Sequence, residues 1–355
     1  MTATRRCYQS LSLIALFQVQ QSVGFVPVPS IFTSVKLHND PNRFSHHASL
    51  LQLSATPTLE VTSEDDTVVS LKNPATGQQI TLIGTAHLSE TSNQQVKSIV
   101  TSVKPDVVMI ELDRTRLERI GLTVQDLSPN FSTSEDIKPP LRQDDIDAIE
   151  NPPFWRGFTD FCLDNFAEFA RGSITNMYND IGETMGENGM SGGGEFLAAI
   201  NAAKSNDESN NDVGPATKII LGDRSSVVTL KRAAELAVRS GNPLGVLGRL
   251  SSVNQEELDK MRDGILKDLE EDDIDMKEFN VAMIETMKSD SDFRNRLFSR
   301  LEKEVPEFTR SFIIERDYIM AEVIRRETDA KHVVAVVGLA HVPGMSENLR
   351  ASNFQ

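Results

Sequence analysis

The sequence predicts an α/β protein with a central, mostly parallel or mixed β-sheet that is flanked by helices and interrupted by a helical insertion. Three short apolar runs, at 107–112, 217–221 and 333–337, have the length and composition of fully buried strands. Segments with apolar residues at helical spacing separate these runs. Such an alternation of strands with helices is typical of α/β proteins.

The first elements of the predicted fold are a β-hairpin and an amphipathic helix. Strands are predicted at 68–72 and 79–83, on either side of a cluster of turn-forming residues. Apolar residues then recur at helical spacing within 96–103, which indicates a helix with one buried face. The expected N-cap of this helix is Thr91 or Ser92.

The remaining elements alternate between helix and strand, and a strand–helix–strand unit with short links implies a right-handed parallel crossover. Helices are predicted at 195–204, 229–238 and 308–326, and strands at 107–112, 217–221, 244–247 and 333–337. The α/β domain is predicted to span 59–350, with less regular helical insertions at about 127–194 and 252–304.

The charge balance excludes some classes of partner. The chain has 355 residues and a formal net charge of −16, which argues against binding nucleic acid because the phosphate backbone attracts a basic surface. Its two cysteines provide no disulfide framework. No apolar run approaches the ~20 residues that span a bilayer, so we expect a soluble mature chain without a transmembrane segment.

Residues 1–58 have the composition of a targeting presequence. Arg5 and Arg6 precede a short apolar stretch at 11–17, as in a signal peptide. The following segment, 25–58, begins with Phe, is rich in hydroxyl residues and contains a single acidic residue. This combination resembles the bipartite presequence of algae with complex plastids and predicts a plastid location. A mitochondrion and the secretory pathway are the alternatives.

Two copies of Gly-x-Ala-His end two of the predicted strands. Gly84–His87 follows the strand at 79–83, and Gly338–His341 follows the strand at 333–337. Either motif alone is also explained by a structural histidine that bonds to a backbone carbonyl. The matching pair favours a functional site, because open α/β sheets bind ligands at the carboxyl ends of parallel strands.

Acidic residues occupy similar positions on two other predicted strands. Glu111 closes the strand at 107–112, and Asp223 follows the strand at 217–221. Two imidazoles and a carboxylate are the ligand set of many catalytic Zn, Mn or Fe sites, and such a cation activates water near neutral pH. The pattern therefore predicts that His87, His341 and Glu111 share a divalent metal site.

Two charged residues interrupt an otherwise apolar face of the predicted helix at 308–326. Arg316 and Asp317 lie among apolar residues at helical spacing. Burial without a partner costs several kcal/mol, so both side chains require partners. They form a structural ion pair or support Glu111 and the histidines, and the sequence leaves both interpretations open.

The order and spacing of these motifs resemble the TraB/PrgY family, which is related to the Tiki metalloproteases and more distantly to the erythromycin esterase and ChaN groups. The matching segments are Leu82–Ser89, Pro105–Arg116, Glu195–Ala199, Leu221–Arg224, Thr229–Arg232, Glu315–Tyr318 and Val337–Gly344. These segments are spread over 79–349, whereas 127–194 and 236–304 match poorly.

The resemblance implies a site with a metal-binding core and a surrounding set of catalytic residues. The implied core is His87, Glu111 and His341, and the surrounding residues are Arg116, Asp223, Arg224 and Asp317. Tiki relatives imply a metal-dependent peptidase, for which we expect Mn, Zn or Co, whereas the esterase relatives imply a histidine base without metal. Ala340 stands where the family more often has Gly, which narrows the approach to His341.

Three functions are consistent with such a site. The first is a metal-dependent hydrolase of a peptide or small molecule, with Glu111 as ligand or general base. The second is a metal-free hydrolase in which a histidine is the base and Glu111 orients it. The third is a protein that binds peptides or a partner protein without catalysis. The substrate and the oligomeric state are left open by the sequence.

Overall fold

Seven strands within the described residues form a single mixed sheet. The computed structural model describes residues 59–65, 67–86, 89–127, 131–150, 193–209, 216–268 and 276–351. The strands are β1 (Glu60–Glu64), β2 (Val68–Lys72), β3 (Gln79–Thr85), β4 (Val107–Ile110), β5 (Ser132–Thr133), β6 (Lys218–Leu221) and β7 (His332–Gly338). Their order across the sheet is β1-β2-β3-β7-β4-β6-β5. The pairs β1–β2 and β2–β3 are antiparallel, and all other neighbours run parallel.

Helices cover both faces of this sheet and extend beyond it. In chain order they are α1 (Glu90–Val103), α2 (Arg114–Arg119), α3 (Gln143–Glu150), α4 (Gly194–Ser209), α5 (Ser226–Arg239), α6 (Pro243–Ser252), α7 (Gln255–Asp268), α8 (Met276–Ser289), α9 (Ser291–Glu304), α10 (Pro306–Thr309), α11 (Glu315–Arg325) and α12 (Val342–Arg350). A π-helical turn, Arg310–Ile314, joins α10 to α11, and a short 3-10 turn, Leu339–His341, joins β7 to α12.

The central strands β4, β6 and β7 are buried on both faces, which explains why they are continuous apolar runs. On one face, alternate residues of β3, β4 and β7 pack against α1 and α4. On the other face, the intervening residues pack against α11 and α12. A further apolar cluster lies among α5–α10 and the π-helical turn, and it includes Phe279 and Phe308. The predicted α/β class, with a mixed sheet flanked by helices, is confirmed.

The first and the last of the parallel strands in the sequence, β3 and β7, lie side by side in the sheet. The predicted hairpin at 68–72 and 79–83 is present as β2 and β3. Strand β7, the last in the sequence, lies between β3 and β4 and is parallel to both. The end of β3 therefore lies beside the end of β7, with Thr85 paired to Gly338.

The strand predicted at 244–247 is wrong, because this segment lies within helix α6. Asn242 caps the helix by accepting a hydrogen bond from the Gly245 backbone N–H, and Pro243 occupies the first turn, where a missing N–H has no penalty. Val246 and Leu250 are buried one helical turn apart. A short apolar run does not distinguish a strand from a buried helix face.

The predicted N-cap of α1 is also corrected. Ser89, rather than Thr91 or Ser92, caps the helix, and its hydroxyl accepts a hydrogen bond from the Ser92 backbone N–H. Several hydroxyl residues cluster at this point of the sequence, and each has the chemistry of a cap. Which of them becomes the cap depends on where β3 ends.

The two predicted insertions differ in how far the structure describes them. The charged segment at 252–304 is largely helical, as predicted, and comprises α7, α8 and α9. Of the segment at 127–194, residues 131–150 contain β5 and α3, whereas 128–130 and 151–192 lie outside the described residues. The predicted presequence at 1–58 also lies outside them. None of the helices in the described ranges is long and apolar enough to cross a membrane.

Candidate functional site

Three of the predicted site residues lie together at the carboxyl ends of the parallel strands. Glu111 directly follows β4, Asp223 follows β6 by two residues, and His341 follows β7 within the 3-10 turn. All three are buried. The fourth, His87, lies outside the described residues, which resume at Ser89.

The Glu111 carboxylate is held by main-chain and side-chain donors. Its backbone N–H donates to the Val336 carbonyl at 3.1 Å, which extends the pairing of β4 with β7 by one residue. The carboxylate Oε2 accepts a hydrogen bond of 2.6 Å from the Gly338 N–H, and Oε1 accepts a short one from Arg316 Nη2. The side chain is thus fixed beside the end of β7.

The His341 imidazole is completely buried between two carboxylates. Its Nδ1 lies 2.5 Å from Asp317 Oδ1, and its Nε2 lies 3.4 Å from Glu111 Oε1. The Nε2 atom is buried and has no hydrogen-bond partner among the described residues. Asp317 therefore orients the ring through Nδ1, whereas Glu111 faces the opposite nitrogen.

The pKa values of His341 and Asp317 are both raised, but by different causes. Burial lowers the pKa of His341, but the Glu111 and Asp317 carboxylates outweigh burial and raise that pKa to about 9. Burial raises the pKa of Asp317 to about 6, although the neighbouring His341 lowers it. The Glu111 and Asp317 carboxylates thus favour the protonated form of the His341 ring.

Gly344 allows Asp317 to approach His341. A Cβ atom at position 344 would lie only 2.8 Å from the Asp317 Cγ atom and closer still to Oδ2. Glycine in this first part of α12 leaves the space that the Asp317 carboxylate occupies. The packing of α12 against α11 thus depends on the absence of a side chain here.

Asp223 is bound by two arginines. It accepts hydrogen bonds from Arg316 Nε at 3.0 Å and Nη2 at 2.7 Å, and a short one from Arg116 Nη2. Burial raises the pKa of Asp223, but the two guanidinium groups outweigh it and hold the pKa below its usual value. Arg316 contacts both Glu111 and Asp223, so one guanidinium pairs with two buried carboxylates.

Arg116 is the charged group of this cluster that reaches solvent. Asp113, the N-cap of α2, accepts a hydrogen bond of 3.0 Å from Arg116 Nε, and Asp223 binds Nη2. The Arg116 side chain is still 24% exposed, whereas those of Asp223, Arg316 and Glu111 are at most 5% exposed. Arg116 therefore presents a fixed positive charge at the edge of the site.

The Arg224 side chain belongs to a neighbouring charge network. Its backbone N–H bonds to Asp223 Oδ1 at 2.8 Å, but its guanidinium donates to Glu315 Oε2 at 2.9 Å and to the Ser311 carbonyl at 2.6 Å. Glu315 also accepts from Arg232. The structure thus brings Asp223 and Asp317 to His341 and Glu111, but directs the Arg224 side chain to other partners.

The π-helical turn before α11 binds two arginines through its carbonyls and precedes three consecutive buried charged residues. Glu315, Arg316 and Asp317 are all buried, although only one of three successive helical residues usually faces a given neighbour. Arg224 and Arg316 donate to the Ser311 and Phe312 carbonyls within this turn. Such turns occur often at functional sites.

Some contributors to the cluster were not among the predicted site residues. Asp113 and Gly344 were absent from the prediction, and Arg316 was foreseen only as a buried charge that needs a partner. Asp113 carries a detectable signal, because an acid three residues before an arginine at a helix start is typical of an N-cap. The Gly344 contact has no sequence signal, since it depends on how two helices pack.

Within the described ranges, no three His, Cys, Asp or Glu side chains are arranged to hold a metal ion. His341 and Glu111 alone make an incomplete ligand set. The described residues nevertheless provide one imidazole nitrogen and one carboxylate oxygen that face each other across 3.4 Å.

Similar proteins agree with the resemblance found in the sequence. A model of the TraB/PrgY/gumN family matches residues 196–355, which include Asp223, Asp317 and His341. Over these residues the chain is similar to the TraB/PrgY/gumN family. It is 24% identical over 288 residues to a TraB domain-containing protein of Homo sapiens, 23% over 288 residues to that of Mus musculus and 24% over 294 residues to that of Bos taurus.

These relatives are longer than the region they share with this chain. Each alignment covers 77% of this chain and 63% of the relative. The relation to the Tiki metalloproteases stays a prediction.

Proposed function

We propose that this TraB-family protein is a metal-dependent hydrolase of the peptidase type, in which His87, Glu111 and His341 hold a divalent Mn, Zn or Co ion. The observation that carries the proposal is the arrangement of His341. Its Nδ1 is fixed by Asp317, and its buried Nε2 faces the Glu111 carboxylate without a hydrogen-bond partner in the described part of the chain.

The spacing of the two facing atoms fits a shared cation. Two ligands that each lie about 2.0–2.1 Å from a tetrahedral zinc are about 3.3 Å apart. The distance of 3.4 Å between His341 Nε2 and Glu111 Oε1 agrees with that spacing. A metal-binding histidine also commonly donates its other ring N–H to a carboxylate, which is the relation of His341 to Asp317.

Electrostatics gives a second argument for a cation between these atoms. If His341 is neutral and donates its Nδ1 proton to Asp317, the Nε2 lone pair faces a negative carboxylate. That arrangement is repulsive in a buried site unless a positive charge lies between the atoms. A proton on Nε2 or a divalent ion supplies that charge, so the two compete for one position.

The proposed chemistry is peptide or ester hydrolysis by an activated water. A divalent cation held by these residues would supply a water of lowered pKa and would polarise the substrate carbonyl. Asp317 fixes the ring orientation of His341, and Arg316 holds Glu111 in place. Arg116, tethered by Asp113 and Asp223, offers the exposed positive charge that stabilises the developing negative charge on the substrate.

A metal-free hydrolase is the second candidate, and the short Asp317–His341 contact of 2.5 Å favours it. A carboxylate at Nδ1 orients an imidazole for proton transfer at Nε2. With a pKa of about 9, however, His341 would be protonated at neutral pH and would act as a general acid. We therefore expect a metal-free enzyme to use His341 as a base only under alkaline conditions.

Chelation followed by metal return separates these functions. Cleavage of a defined peptide mixture by the purified protein is measured by mass spectrometry before chelation, after chelation and after Mn, Zn or Co is returned. The metal-dependent proposal predicts loss and recovery of cleavage, and permanent loss in His341→Ala. His332→Ala is the matched control, because His332 lies at the opposite end of β7.

Three results contradict the proposal in different ways. Cleavage that survives exhaustive chelation but is lost in His341→Ala supports the metal-free candidate. Cleavage that is unchanged in His341→Ala removes the site from the reaction altogether. A metal-loaded wild-type protein that binds peptides but cleaves none is a binding protein.

A further inference from the structure

Three arginines converge on a carboxylate of helix α3. Asp145 Oδ1 accepts hydrogen bonds of 2.6 Å from Arg232 Nη2 and 2.8 Å from Arg239 Nη1, and its Oδ2 accepts a short one from Arg310 Nη2. The adjacent Asp144 Oδ2 accepts a bond of 2.7 Å from Arg310 Nη1. Arg232 and Arg239 lie two turns apart on α5, and Arg310 begins the π-helical turn. These residues, Arg232, Arg239 and Arg310, are called the arginine cluster below.

Charge, rather than apolar packing, attaches α3 to the arginine cluster. Among the described residues of α3, 143–150, Asp145 is the only buried one. Ile149 lies one turn further along the same face but is 52% exposed, and Leu141, just before the helix, is 59% exposed. Since the stability of a helix in a protein comes mostly from burial of its apolar face, little hydrophobic free energy opposes the release of α3.

The arginine cluster has an excess of positive charge once α3 is removed. Arg224 belongs to the same network, because Glu315 accepts hydrogen bonds from both Arg224 and Arg232. Glu235 accepts from two members of the cluster. Without α3, four arginines share these two acids, so two positive charges in the described network lose their compensation. Among the described acids, Arg310 then keeps Glu315 alone, at 3.4 Å from its Nε.

The groups that α3 places on the arginine cluster have the charge and the acceptor atoms of a phosphate group. Asp144 and Asp145 together present three acceptor oxygens and carry two negative charges. A phosphate monoester likewise has three strong acceptor oxygens and a charge of about −1.5 to −2 at neutral pH. The planar guanidinium group is suited to phosphate, because it forms paired hydrogen bonds with two oxygens.

We propose that the arginine cluster binds a phosphate group, free or as a monoester, which displaces Asp144 and Asp145 of α3. Helix α3 is then an internal competitor that occupies the site until phosphate is present. The site uses none of Glu111, Asp223 and His341, so this inference is independent of the proposed function.

The competing explanation is that the arginines and acids form a purely structural network. Both explanations predict a loss of stability when the acids are removed, because buried arginines are left without partners. Only the binding site predicts that phosphate releases α3 in wild-type protein. It alone also predicts that removal of the acids tightens phosphate binding.

Amide hydrogen exchange in residues 143–150 measures the release of α3 in purified wild-type protein. Exchange is followed in inorganic phosphate, phenyl phosphate, acetate and chloride at one ionic strength, so that general screening of ion pairs is equal in all four. We expect faster exchange in inorganic phosphate and in phenyl phosphate than in acetate or chloride. A response to inorganic phosphate alone assigns the site to the free anion, whereas a response to phenyl phosphate extends it to esters.

Calorimetric titration with inorganic phosphate tests the arginine cluster through two matched variants. Arg239→Gln should weaken binding about 10–100-fold, because it removes a charged hydrogen-bond donor. Arg262→Gln is the control and should bind phosphate as wild type does. The Arg262 side chain is 24% exposed, against 26% for Arg239, and it too is paired with acids of its own helix.

Removal of the two acids tests whether α3 competes for the site. A minor open state, typically about 0.1–10% of the molecules, limits binding in wild type, whereas the cluster is open in Asp144→Ala/Asp145→Ala. This double variant should therefore bind phosphate about 10–1,000-fold more tightly than wild type. Asp147→Ala/Glu150→Ala removes the same charge from exposed positions of α3 and should match wild type.

Four results overturn the proposal. Exchange in α3 that is the same in all four anions means that phosphate does not displace the helix, and equal acceleration by acetate and phosphate means that the site is not one for phosphate. Unchanged binding in Arg239→Gln places the anion elsewhere. Wild-type affinity in a folded Asp144→Ala/Asp145→Ala, verified by circular dichroism, means that α3 does not occupy the site. The exchange experiment decides the proposal even where that variant unfolds, because it uses wild-type protein.

Discussion

Replacement of Gly344 by alanine should damage the site while leaving the fold intact. The new Cβ would lie 2.8 Å from the Asp317 Cγ atom and even closer to Oδ2, distances that real Cβ contacts essentially never show. Helix α12 or the carboxylate must move. Because Asp317 is held to His341 by a contact of 2.5 Å, its displacement breaks the bond that orients the ring.

Two opposing effects set the change in the free energy of unfolding of Gly344→Ala, and a third effect sets the change in its metal affinity. Overpacking of this kind costs about 1–3 kcal/mol, whereas alanine in place of a helical glycine gains up to about 1 kcal/mol. The free energy of unfolding should therefore fall by no more than about 3 kcal/mol, which a domain with a typical stability of roughly 5–15 kcal/mol survives. Loss of the contact between Asp317 and His341 should weaken the affinity for the metal about 10–100-fold.

Urea unfolding and calorimetric titration with Co²⁺ measure the two effects separately. Gly264→Ala is the control, because Gly264 lies within helix α7 and has open space where a Cβ would be. This control should be as stable as wild type or slightly more stable, with unchanged Co²⁺ affinity. Wild-type affinity in Gly344→Ala would refute the argument that Asp317 must lie against His341 for the site to work.

Three further predictions concern stability, pH and location. Arg316→Leu removes the cation shared by Glu111 and Asp223, so urea unfolding should show a loss of about 3–5 kcal/mol; a loss below 1 kcal/mol would contradict the pairing. Burial raises the pKa of Asp145, but its arginine partners outweigh burial and hold this pKa at about 2, below the usual 3.8. The stability that Asp145 contributes is therefore complete above pH 3.8 and is lost as the pH falls towards 2. In Asp145→Asn this acid-dependent part of the unfolding profile should be absent, and a profile identical to wild type would contradict it. A fluorescent protein fused to residues 1–60 should enter the plastid, whereas secretion or mitochondrial import would exclude the plastid prediction.

The fold was predictable wherever burial leaves a continuous apolar pattern. Strands β4, β6 and β7 are covered on both faces, so each appears in the sequence as an apolar run. Helix α6 was mistaken for a strand because its short apolar segment fits both structures, and the deciding interactions are the Asn242 cap and tertiary packing. Strand β5 has two residues and no periodic pattern at all.

The location of the site was predictable, but its partners were not. Residues that follow parallel strands must lie at one edge of the sheet, and this placed Glu111, Asp223 and His341 together before any contact was known. The choice of Asp317 as the Nδ1 partner depends on how α11 and α12 pack together and on the space left by Gly344. Neither feature is encoded in a local sequence pattern.

Metal content measured by elemental analysis tests the central claim most directly. Wild-type protein and His332→Ala should carry near-stoichiometric Mn, Zn or Co after purification and metal loading. His341→Ala and His87→Ala should lose it, because each removes an imidazole ligand. Equal metal content in wild type, His341→Ala and His87→Ala would contradict the assignment of these histidines to a metal site.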